Sequence, residues 1–127
     1  MVRRHRVVDP SDTHVLLIDS CEATRDARTK TFKEHGIEVH TAENLEEARF
    51  LWRPNFYQLV LLDVRRYMPG EALDFCRLLH DISPKERIAF LLGAPRYLSL
   101  TWPEEIIDVN QGQPQWNEMV RRLAAAA

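Results

Sequence analysis

Two aspartates stand directly behind apolar runs: Val15-Leu16-Leu17-Ile18 stops at Asp19, and Leu59-Val60-Leu61-Leu62 stops at Asp63. If those runs are neighbouring strands of one sheet, both carboxylates come out at the same end of it. A hard divalent cation needs such a pair, because Mg²⁺ takes oxygen ligands, keeps several waters and uses only one or two protein carboxylates. A metal held there shields a carboxylate as it attacks an incoming phosphorus centre, so phosphoryl chemistry is one reading of the pair. The other is structural, each acid capping the helix or turn that follows it.

The elements that must position these acids can be read from periodicity. His14 to Ile18, Gln58 to Leu62 and Ile88 to Leu92 are continuous apolar runs of strand length, as expected for strands covered on both faces. Ile37 to His40 is shorter and alternating, and Ile106 to Val109 gives a fifth strand. Between them, Glu22 to His35 lacks Gly and Pro and ends at Gly36, a helix stop. Leu45, Ala48 and Trp52 recur at helical spacing before Pro54, and Ala72, Leu73, Cys76, Leu79 and His80 trace a third helix before Ser83-Pro84. Met68-Pro69-Gly70 reads as a turn, Pro95 to Pro103 as a short helix or irregular loop, and Pro114 to Ala124 as a closing helix. Strands alternating with helices predict an α/β fold: a flavodoxin-like, doubly wound, five-stranded parallel sheet of order 2-1-3-4-5, with helices on both faces and the fourth helix short or irregular. In that topology ligands sit at the carboxyl ends of the strands near strands 1 and 3, where Asp19-Ser20 and Asp63 fall.

Composition narrows the function classes. Apolar residues at 45% and charged residues at 28% describe a soluble globular domain. A net charge of −2 offers no basic field for direct nucleic-acid binding. The two cysteines, Cys21 and Cys76, have no metal-site spacing and fit a reducing, cytoplasmic setting. The basic start is followed by no apolar segment of signal-peptide type, and no run is long enough to span a membrane. Residues 1–12 read as a polar leader, 13–124 as one domain and 125–127 as a tail.

The segment Val15-Leu16-Leu17-Ile18-Asp19-Ser20-Cys21-Glu22 resembles the first strand and acidic turn of bacterial response-regulator receiver domains. Leu59-Val60-Leu61-Leu62-Asp63-Val64-Arg65 resembles their third strand with its phosphorylatable aspartate. His35-Gly36-Ile37-Glu38-Val39, Ala42, Glu47-Ala48 and Met68-Pro69-Gly70 follow the family's landmarks in order. The resemblance implies a role in two-component phosphorelay signalling, with Asp63 accepting a phosphoryl group from a histidine kinase or phosphotransfer protein. It implies Mg²⁺ held by Asp19, Asp63, the residue at position 20 and the main-chain carbonyl of Arg65. It also implies output to a downstream protein partner or effector domain, or a homodimer, through the face formed by the fourth helix, fifth strand and last helix. No enzymatic turnover is implied beyond Mg²⁺-dependent self-phosphorylation.

The sequence departs from the family pattern at the same site. The second acid is Ser20, the hydroxyl position at the end of strand 4 is Gly93, and the lysine before a proline at the end of strand 5 is matched by Gln113-Pro114. Met68-Pro69 lies farther from Asp63 than in the family, which enlarges the loop Arg65-Arg66-Tyr67. Serine for a carboxylate weakens a Mg²⁺ site, and glutamine for lysine loses an ion pair with a phosphoryl group. Two functions therefore stand side by side: a phosphoryl-accepting receiver, and a phosphorylation-independent pseudo-receiver acting as an interaction or dimerisation module. A nucleotide-binding protein of the same fold is disfavoured, because no Gly-rich loop follows strand 1. Arg65 and Arg66 read as a solvated basic turn that could also bring positive charge near Asp63. Arg25, Arg28, Arg121 and Arg122 read as solvated helix faces, Cys21 as a small packing residue, and His14, His35, His40 and His80 as surface or helix-end residues. Trp52, Trp102 and Trp116 are assigned to core or interface packing.

Overall fold

The computed structural model describes residues 13–92, 105–108 and 113–126. Along the chain these form β1 (His14–Ile18), α1 (Glu22–Glu34), β2 (Glu38–Ala42), α2 (Leu45–Leu51), β3 (Leu59–Asp63), α3 (Pro69–Ile82), β4 (Ile88–Leu92), β5 (Glu105–Asp108) and α4 (Gln113–Ala126). The five strands make one sheet of order β2-β1-β3-β4-β5, and every neighbouring pair is parallel. This is the flavodoxin-like topology expected from the alternation of elements.

Alternate residues of the central strands divide between two cores, as the strand period of two requires. Leu16, Ile18, Val60, Leu62 and Phe90 face Ala48 and Trp52 of the α2 segment and Phe75 and Leu79 of α3. Val15, Leu17, Leu59, Leu61 and Leu91 face Phe32 of α1 and Met119, Val120 and Leu123 of α4. Every residue of β3 is buried, so its apolar run is continuous rather than alternating.

Local chemistry moves several boundaries from their expected places. Ile37 donates its N–H back to the Phe32 carbonyl after Gly36 takes φ 75°, so β2 begins one residue later and runs on to Ala42. Pro69 and Gly70 are not a turn but the first turn of α3. Proline is tolerated at the first helical position, and Glu71 Oε1 accepts the Met68 N–H at 2.9 Å. Asn44 caps α2 by accepting from Glu47 N at 2.8 Å. The expected fourth helix, Gly93, Tyr97, Trp102, Val109, the leader and most of the proposed output face lie outside the described residues. Gln113 opens α4, but its side chain lies outside them too.

At the pole opposite the strand ends, Glu86 is 5% exposed and fully engaged. It accepts from Trp52 Nε1 at 3.0 Å, Asn55 N at 2.9 Å and Ser83 Oγ at 2.9 Å. Asn55 takes φ 62°, a left-handed conformation that asparagine tolerates better than most residues. Burial of Trp52 in the core agrees with its expected role.

Candidate functional site

Pairing of β1 with β3 brings Asp19 and Asp63 to the same end of the sheet, as the sequence predicts. Both are buried, at 1% and 5% exposure. Asp19 is held by the start of α1: its Oδ1 accepts the Cys21 N–H at 2.9 Å, and its Oδ2 accepts from Thr24 Oγ1 at 2.7 Å. The capping alternative is therefore realised at Asp19 as well as the pairing one.

The residue that joins the two acids is Arg28. Its Nη1 lies 2.7 Å from Asp19 Oδ2 and 2.7 Å from Asp63 Oδ2, and its side chain is 13% exposed. This corrects the expectation that Arg28 sits on a solvated helix face. Arg25 is also turned inward, donating from Nη1 to the Asp19 main-chain carbonyl at 3.0 Å. Side chains on a helix lean toward its N-terminus, so positions on α1 one and two turns in overhang the strand end. Thr24 and Arg28 are four apart and share that helix face, a spacing that singles out neither as inward in so polar a helix.

Arg65 approaches Asp63 from the other side and overturns the reading of a merely solvated turn. Its Nε donates to Asp63 Oδ1 at 2.8 Å and Oδ2 at 3.0 Å, its Nη2 lies 2.7 Å from Oδ2, and its main-chain N–H donates to Oδ1 at 3.1 Å. Arg65 Nη2 also donates to Thr24 Oγ1 at 3.4 Å, which ties the β3 loop to α1. Burial opposes ionisation of Asp63, but the hydrogen bonds from Arg65 and Arg28 outweigh it and hold its carboxyl below the usual range. The same pair raises the Arg65 guanidinium further above its ordinary value. Arg66 is exposed, as expected of a basic turn, while half-buried Tyr67 packs against the core.

The remaining candidates separate cleanly. Ser20 is exposed, and Cys21 is half-buried at the cap position of α1. The Cys21 thiol is lowered from its ordinary value by hydrogen bonding to Thr24. Arg121 and Arg122 are exposed on α4, as read from the sequence. His35 closes α1, whereas His14 and His40 join Phe56 and Tyr57 in a ring cluster, with Glu38 beside both imidazoles. Among the described residues no group of three His, Cys, Asp or Glu side chains could hold a metal. The fit to Mg²⁺ is poor on direct grounds too, because all four oxygens of Asp19 and Asp63 already accept from protein donors.

No family model matches the chain, and no curated protein does. Solved structures do. The response regulator TrrA of Thermotoga maritima, in complex with Mg²⁺-BeF, is 25% identical over 87% of this chain and 98% of its own, with a TM-score of 0.69. A chain of the crystal structure of histidine kinase ThkA with TrrA is 24% identical, covering 87% of this chain and 97% of that one, at 0.67. A two-component response regulator from Clostridium difficile is 17% identical over 87% and 94%, at 0.70. The chain folds as a response-regulator receiver domain. Within that fold the two strand-end carboxylates of this chain are enclosed by guanidinium groups. Among the described residues no helix is long and apolar enough to cross a membrane.

Proposed function

We propose that this receiver domain serves two-component signalling as a protein-contact module, with Asp63 engaged as an ion-pair partner rather than as a phosphoryl acceptor. One observation carries the reading: Arg65 and Arg28 together cover both oxygens of the Asp63 carboxylate. An attacking carboxylate needs a free lone pair directed at phosphorus, and its developing charge is ordinarily balanced by a metal ion. Here the lone pairs are spent on arginines, and Ser20 leaves the acid set one carboxylate short. Loss of the hydroxyl at Gly93 and of the lysine at Gln113 points the same way.

The ThkA–TrrA complex supports a histidine kinase as the partner class, and the reading adds a downstream protein or effector domain in a cytoplasmic setting. A second copy of the chain, docked through the fifth strand and last helix, is the homodimeric version of the same proposal. It involves neither turnover chemistry nor nucleic acid.

A phosphoryl-accepting role has two observations in its favour. Asp63 is held ionised, and the Arg65 side chain is 39% exposed, so a single outward swing would free Oδ1 from its side-chain partner. In that reading Mg²⁺ would bind at Asp19, Asp63 and the Arg65 carbonyl once the arginines had moved. Intact-mass analysis after incubation with a small-molecule phosphodonor, with and without Mg²⁺, separates the two. The expected result is no added phosphoryl group on the parent. A Mg²⁺-dependent gain that disappears in Asp63→Asn would establish the acceptor role instead.

A further inference from the structure

We infer that Arg28 is a built-in cation, its guanidinium standing where a divalent ion would bridge Asp19 and Asp63. The inference rests on reading this strand end as the receiver-type site, and it concerns what neutralises the site rather than what the domain signals to.

The geometry is that of a bridging ligand. One nitrogen, Nη1, serves an oxygen from each acid at the same 2.7 Å distance. All three side chains are withdrawn from water, with exposures of 13% for Arg28, 1% for Asp19 and 4% for Asp63. Two carboxylates brought together at such burial repel one another, and one would hold its proton unless a cation intervened. Arg28 supplies that cation, Arg65 adds a second positive charge, and Arg25 sets a third guanidinium at the Asp19 main-chain carbonyl, so the two carboxylates are already compensated. A dication added to them brings uncompensated charge into a buried site, which opposes its entry.

A guanidinium differs from a bound ion in that it cannot dissociate, being tethered to α1 in a helix packed through Phe32. The site should therefore ignore divalent-cation concentration, and the carboxylate pair becomes a fixed joint between α1, β1 and β3.

Thermal unfolding of the full chain with and without about 10 mM Mg²⁺, against NaCl of equal ionic strength, tests this. The parent Tm should move by less than about 1 °C. Arg28→Ala should melt lower than the parent in the absence of metal and recover by several degrees in Mg²⁺, because the bridge position is then open. Arg28→Ala combined with Asp19→Asn should lose that recovery. If Arg28→Ala does not fold, Arg28→Gln keeps the chain length without the charge and is read the same way. A parent stabilised by Mg²⁺ as much as the variant, or a folded variant indifferent to Mg²⁺, overturns the inference. The two proposals fail separately: labelling of Asp63 by a phosphodonor in the absence of Mg²⁺ would overturn the function above and uphold Arg28 as the site's cation.

Discussion

Arg28 and Arg65 pair with the same carboxylate from different sides of the water boundary, with side chains 13% and 39% exposed. Removing a partner from a buried ion pair strands the remaining charge, so Arg28→Ala is expected to cost about 3 kcal/mol in chemical denaturation. Arg65→Ala should cost less than about 1 kcal/mol, since water can replace much of what it gives. Equal losses for the two would contradict the burial argument. Acid titration reads the same contacts. Asp63 is lowered in the folded state, so its contribution to stability is complete above the unfolded carboxylate value of about 3.9 and is lost as pH falls through the lower folded value. Asp63→Asn should accordingly show a shallower fall of Tm below about pH 4 than the parent. A slope unchanged by the substitution would show that Asp63 is not preferentially ionised in the fold. At this scale Asp19 and Asp63 were legible in the sequence because each ends an apolar run. Arg28 was not, because a helix that is polar over most of its surface gives no sign of which charge turns inward.

Elements were legible where burial or chemistry is unambiguous. The three central strands announce themselves by runs too short for helices, and β1 and β4 fall at the predicted bounds. Helix ends were less so. The start of α3 depends on Glu71 reaching back to Met68, a side-chain contact that a Pro-Gly pair masks as a turn. Glu86 was missed altogether, since a single glutamate in a polar connection ordinarily reads as solvent-facing. It links the α2 and α3 ends through Trp52, Asn55 and Ser83. Glu86→Ala leaves three donors without their acceptor, and urea unfolding should record a loss of about 1–3 kcal/mol. A change within about 0.5 kcal/mol, the range of ordinary surface substitutions, would mean that water takes over the role.

On the scale of the whole molecule, sheet order and the convergence of the two acids followed from alternation of strands and helices alone. What topology could not tell was the charge state of the place where they converge, because that depends on α1 and the β3 loop closing over it together. The fold brings two acids to one strand end, and the side chains around them supply the cation between them. The most direct test of that claim is a double-mutant cycle in chemical denaturation between Arg28→Ala and Asp63→Asn. A coupling energy of about 1–3 kcal/mol is the expected result, as for charged partners in contact. Additive losses, with coupling within about 0.3 kcal/mol of zero, would contradict it and return Arg28 to the solvated face of its helix.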